Sequence, residues 1–189
     1  AWLIQEGVFR GCSLPDPGCK SLNQLLPSGQ ASSLSIVFAT GYLKNPASYF
    51  GHLFLKFNNN PIRSERNLLN RTVNFGADLR SHDNPILYAW KGVAGGYSGV
   101  FSQNDFYTQK FQYGNNQLRD LWEFELCLPK ASIDTLAMRL WELFGKNFKY
   151  YFFNENCAYY IVSPIEDFLD EKLLPSYLPY SLPKHVIES

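Results

Sequence analysis

Cys157 and His52 are the two residues whose type and setting suit covalent chemistry. Cys157 follows Asn154-Glu155-Asn156 and precedes Ile161, Ile165, Phe168 and Leu169 at helical spacing, which places it at a helix N-terminus. An Asx side chain there caps the helix. The free N–H groups and the positive end of the helix dipole favour a thiolate, the reactive form of cysteine. The same N–H groups suit the oxyanion of a tetrahedral intermediate. Taken alone, a cysteine on an apolar helix is more often a packing residue.

His52 supplies the second half of the argument. It follows Phe50-Gly51 at the mouth of a strand, Leu53–Phe57, whose Leu53, Leu55 and Phe57 share one face. His52, Phe54 and Lys56 then lie on the other. A base must be held rigidly, which favours a strand-borne histidine over His82 and His185 in loop and tail sequence. The next strand, Thr72–Ala77, puts Val73, Phe75 and Ala77 on the apolar side and Asn74 on the side of His52. Asn74 is either the group that fixes the imidazole tautomer or an ordinary strand-edge amide, with Asp78 as the alternative orienter.

The elements that must position these groups read as one domain over residues 1–189: an irregular arm (1–33), a catalytic core (34–170) and a proline-rich strap (171–189). Within the core, Leu34–Ala39 is a first strand, and Lys91–Ser102 reads as a hairpin with a glycine turn. Arg119–Leu128 alternates, predicting Trp122, Phe124, Leu126 and Leu128 inward and Glu123 and Glu125 on a solvated face. Ser132 is expected to cap a helix running to about Phe144 with Ile133, Leu136, Ala137, Leu140 and Trp141 on its stripe, stopped by Gly145. The fold class is α+β, an antiparallel sheet packed with helices.

Composition narrows the function. Seventeen basic residues balance seventeen acidic ones, which disfavours nucleic acid as a partner. No apolar run reaches the ~20 residues of a membrane span, and no basic leader opens the chain. The absence of Cys-x-x-Cys and His-x-x-x-His spacing predicts no metal, and no cofactor is implied. Cys12 and Cys19 bracket a turn-rich stretch and are expected to pair, which belongs to an oxidising compartment. Cys127 reads as an inert thiol; a Cys127–Cys157 disulfide would end the nucleophile reading. Aromatic residues make up 16 % of the chain, enough to line a greasy site as well as a core.

Six motifs in fixed order resemble one family. They are Pro46-Ala-Ser-Tyr-Phe-Gly-His-Leu-Phe-Leu-Lys-Phe57, Val73-Asn-Phe-Gly-Ala77, Lys91-Gly-Val-Ala-Gly-Gly-Tyr97, Arg119-Asp-Leu-Trp-Glu123, Trp141-Glu-Leu143 and Tyr151-Phe-Phe-Asn-Glu-Asn-Cys157. Together they resemble the N-terminal periplasmic domain of the Lnb-type lipoprotein N-acyltransferases. The resemblance implies a bacterial envelope protein that moves a fatty acyl chain through a thioester, with His52 as base and Cys157 as nucleophile. The order of His-strand, polar strand and Cys-helix also resembles circularly permuted NlpC/P60 (papain-like) thiol enzymes, a likeness of layout only.

Three readings follow. In the first, a thiol acyltransferase or acyl hydrolase takes a lipid acyl donor or a lipoprotein or peptide substrate. The site contacts the membrane surface through an apolar groove lined by Tyr97, Tyr151, Phe152 or Tyr159. The second keeps Cys157 and His52 but cleaves amides, as a cysteine peptidase or amidase of the cell wall. The third is a non-catalytic envelope binding domain with Cys157 and His52 buried or apart.

Overall fold

A computed structural model describes residues 31–42, 48–59, 65–78, 84–168, 172–174, 182, 183 and 186. Cys12, Cys19, His82, His185 and most of the arm and strap lie outside them. Six strands form one sheet: β1 (Ser33–Ala39), β2 (His52–Asn58), β3 (Arg71–Ala77), β4 (Tyr97–Asp105), β5 (Leu121–Leu126) and β6 (Asn147–Tyr150). The order is β5-β1-β2-β3-β4-β6, and every neighbouring pair is antiparallel. The helices are α1 (Pro85–Ala94), α2 (Phe106–Gln109), α3 (Lys130–Leu143) and α4 (Cys157–Glu166). A 3-10 turn at Glu65–Leu69 and a π-helical segment at Lys110–Asn116 complete the described elements. None of these helices is long and apolar enough to cross a membrane.

Strand parity divides the sheet into two chemically different faces. Leu34 and Ile36, Leu53, Leu55 and Phe57, and Val73 and Phe75 bury against Ile133, Leu136, Ala137 and Leu140 of α3 and Ala158, Ile161, Val162 and Ile165 of α4. The opposite face carries His52, Phe54, Lys56, Thr72 and Asn74, all part-buried or buried. Lys56 on it is only 1 % exposed, and its ammonium meets both Glu123 oxygens at 2.8 and 2.9 Å. The α2 and π-helical segment supplies cover on this side, with Phe106 beneath the Lys56 ammonium at 4.4 Å and Tyr113 stacked on Phe54.

Several expectations need correction. Lys91 to Ala94 belong to α1 and do not form a hairpin arm. Asn84 caps that helix by accepting the Leu87 N–H at 2.9 Å, Pro85 occupies its first turn, and Gly95 ends it in the left-handed conformation. Gly92, which reads as turn punctuation, is a helix residue facing the Phe152 ring where a Cβ would stand. Trp122 and Phe124 are 58 % and 39 % exposed, because β5 is the sheet edge and α3 and α4 pack on the strands inside it. Glu123, expected on a solvated face, pairs with the buried Lys56. Helix α3 starts at Lys130 after Pro129, leaving Ser132 inside it and without the capping role. Its stripe of Ile133, Leu136, Ala137 and Leu140 is buried as the periodicity predicts.

Candidate active site

The site lies where the β2–β3 ladder opens. These strands pair from Phe57↔Arg71 to Phe54↔Asn74, and both run on past that last pair. His52 and Leu53 continue on one side, paired to Ala39 and Phe38 of β1, while Phe75, Gly76 and Ala77 stay paired to β4 on the other. Immediately before His52, Gly51 holds φ at +94°, with the Phe38 ring and the Ala39 carbonyl where a side chain would project. Glycine alone fits that conformation and that approach together.

Helix α4 brings Cys157 to this fork. Asn156, 2 % exposed, accepts the Ala158 N–H at 2.9 Å and the Tyr159 N–H at 3.4 Å, and donates to the Phe152 carbonyl at 3.1 Å. The cap therefore fixes the helix start and its lead-in loop together. Cys157 is 2 % exposed. Its burial pushes the thiol pKa up, while the backbone of Leu53, Ala158 and Cys157 and the Tyr150 side chain pull the other way by smaller amounts. Leu53 follows His52 directly, so the sulfur sits against the backbone that carries the histidine. Cys127 and Cys157 are both free thiols, the former exposed, and no disulfide joins them.

Half-buried His52 is oriented from the neighbouring strand. Its Nε2 meets Asn74 Oδ1 at 3.4 Å; in the tautomer with the proton on Nε2 this bond is donated to Asn74 and the Nδ1 lone pair is available. Tyr113 lies 5.6 Å from the imidazole, ring centre to ring centre. Burial, and then the Arg119 charge, pull the His52 pKa down to about 4, against the smaller opposing effect of Asn74. The imidazole is thus neutral across the physiological range, the state a general base requires. Asp78, the alternative orienter, instead continues past β3 with its N–H on the Ser98 carbonyl.

Four further residues anticipated as substrate contacts separate into two pairs. Tyr97 and Phe152 are buried and stacked, with ring centres 6.3 Å apart and planes 9° from parallel. They belong to the packing that seats the loop before Cys157. Tyr151 and Tyr159 reach the surface to differing degrees, Tyr159 at 37 % exposure. Sequence reasoning passed over Tyr150, Tyr113 and Arg119. Tyr150 directly precedes the Tyr151–Cys157 motif, and Arg119 opens both an alternating strand and the Arg119-Asp-Leu-Trp-Glu123 motif, but neither position marked its residue as part of the site. Tyr113 carried no signal, since π-helical geometry has no simple hydrophobic period. Among the described residues no cluster of His, Cys, Asp and Glu is arranged to hold a metal.

The depressed histidine sets a pH dependence of stability. The unfolded chain binds a proton near the ordinary value of 6.5, whereas the native state binds it only near 4. Between those values the unfolded state carries more protons, so stability rises with pH. This contribution is complete above about 6.5 and is lost as pH falls toward 4, amounting to about 3 kcal/mol at most. Chemical denaturation at pH 7 and pH 4.5 should show the difference shrink in His52→Gln; an unchanged pH slope would place the titration elsewhere.

An α+β domain with an antiparallel sheet and this fork is what the envelope motifs organise. The family model for the Lnb N-terminal periplasmic domain matches residues 22–187, and the chain belongs to that family. It is accordingly a periplasmic, envelope-associated domain. No curated protein and no solved structure is significantly similar to it.

Proposed function

We propose that this domain is a thiol acyltransferase or acyl hydrolase acting on lipid or lipoprotein acyl groups, with the layout of a circularly permuted NlpC/P60 enzyme. Two observations support the reading: Cys157 opens a helix capped by Asn156, and His52, held by Asn74, immediately precedes Leu53, whose backbone bears on that thiol. The Cys157 sulfur attacks an ester carbonyl while its proton passes to His52 Nδ1. The carbonyl electrons move to oxygen, which the Cys157 backbone N–H at the start of α4 helps to hold. Collapse of that intermediate expels an alcohol, which takes the proton from His52 and leaves a thioester. An amine or water then attacks the thioester, His52 receives its proton, and the thiol is restored as the acyl product departs.

An apolar surface favours an acyl-lipid donor over a wall amide. On α1, Ile86, Trp90 and Val93 are 84 %, 69 % and 54 % exposed, and this helix accepts the Phe152 N–H through the Gly92 carbonyl at 2.9 Å. The exposed stripe is therefore joined to the loop that delivers Cys157.

Alkylation by iodoacetamide from pH 5 to 9, read by mass spectrometry, tests the pair. With neutral His52 taking its proton, Cys157 should react at a pH below that set by its own raised pKa. His52→Ala should move that profile upward, while exposed Cys127 keeps its rate and serves as the internal control. Equal Cys157 profiles in wild type and His52→Ala would overturn the dyad.

A further inference from the structure

Arg119 is a buried cation without a carboxylate. It is 5 % exposed, and its guanidinium donates to the Thr40 carbonyl, to the Ala39 carbonyl at 2.9 Å and to Gln117 Oε1 at 3.1 Å. Its remaining contact is the Tyr113 ring, whose centre lies 4.8 Å away. All of these partners are neutral, and among the described residues none is acidic. A buried charge so placed carries a large desolvation cost that neutral oxygens offset only in part. Its position is also specific. Ala39 is the register partner of His52, and Tyr113 bridges the guanidinium to the imidazole.

We propose that Arg119 is a positioning residue for this site, a fixed positive charge that holds His52 in its neutral, basic form and favours the anion that develops at Cys157. The inference rests on the Cys157–His52 reading and adds to it the source of the site's electrostatics. A cation near His52 disfavours the imidazolium, and the same cation near Cys157 favours the thiolate or the oxyanion that follows it. Arg119 is coupled to both groups in those senses.

The other groups that face His52 do not supply that charge. Asn74 on β3 and Phe54 on the strand of His52 itself are uncharged, as is Tyr113, whose phenol burial pushes to about 12. Lys56 on the same strand has its charge matched by Glu123 on β5. Cys157 on α4 is itself the responding group. The site thus rests as thiol and imidazole, with proton transfer occurring during attack, and Arg119 biases that transfer toward the charge-separated side only as the anion forms.

Gln117→Glu offers a test that keeps the guanidinium and its carbonyl contacts while placing a carboxylate within reach of Nη1. NMR titration of His52 should show its pKa rising from about 4 by roughly one unit in Gln117→Glu and in Arg119→Gln. Arg119→Lys, which keeps the charge and loses the fork, should hold the wild-type value. In parallel, Cys157 alkylation should shift to higher pH in the first two variants and stay in place in the third. If His52 titrates alike in wild type, Gln117→Glu and Arg119→Gln, the proposal fails and Arg119 is a structural clamp. Should Arg119→Gln not fold, Gln117→Glu alone decides between these results. The readings separate cleanly: loss of His52 dependence in alkylation sinks the dyad, whereas an unmoved His52 titration sinks only the role of Arg119.

Discussion

Cys157→Ala should abolish formation of an acyl-enzyme from an activated ester, and His52→Ala should slow it by about 100-fold or more, the usual worth of a positioned general base. The readout is intact-mass detection of the added acyl group, with stopped acid quenching to trap the thioester. The expected size of the histidine effect follows from the resting charges. Burial pushes the Cys157 thiol up and holds His52 down to about 4, so at neutral pH almost no preformed thiolate exists to react without a base. Every productive attack must hand the proton to the imidazole as the carbon–sulfur bond forms. Asn74→Ala should produce a smaller loss, because it releases the Nε2 proton from its one described acceptor without removing the base. Cys127→Ala should leave acylation unchanged, since that thiol is exposed at the far end of β5. Acylation that persists in Cys157→Ala would refute the proposed nucleophile. Wild-type protein that is never acylated by esters but cleaves amides would keep the dyad and transfer it to the peptidase or amidase reading.

Much of this site was legible because its determinants are local. The parity of Leu53, Leu55 and Phe57 places His52 on the opposite face, and Val73 and Phe75 do the same for Asn74; two antiparallel strands then bring them together. Asn156 announces the start of α4 through its side-chain cap, with no tertiary information needed. What escaped was set by cover. Alternation along Leu121–Leu126 is genuine, yet it reports only which residues share a face, and the edge position of β5 leaves the apolar one open. In α1 the glycines suggested a turn, because nothing local reveals that Gly92 makes room for a ring sixty residues away. Arg119 and Tyr113 escaped for a related reason: Tyr113 meets His52 from a π-helical segment that covers its face of the sheet, and Arg119 reaches the site through the Tyr113 ring. Charges and rings with no neighbouring pattern acquire a role only after the chain has closed around them.

The same uneven cover makes Glu123 the residue whose loss should cost the most stability. Its carboxylate reaches from edge strand β5 across β1 to an ammonium that is 1 % exposed. Glu123→Ala leaves the Lys56 ammonium over the Phe106 ring without the carboxylate that pairs it, a defect expected to cost about 3–5 kcal/mol. Lys56→Met should be milder, because the abandoned carboxylate is 20 % exposed and can recover water. Combining Lys56→Met with Glu123→Leu removes both charges and should restore most of the lost stability, since a well-packed apolar pair in such a setting often equals the ion pair it replaces. Urea denaturation of the four proteins closes the cycle. If Glu123→Ala costs less than about 1 kcal/mol, the pair behaves as a surface ion pair, and the buried position of Lys56 is relieved by water reaching the sheet. A large single-variant cost with recovery in the double variant would show that this face of the sheet is as closed as the one beneath α3 and α4. His52 would then act from a dry surface, where the nearby Arg119 charge is felt at close to full strength.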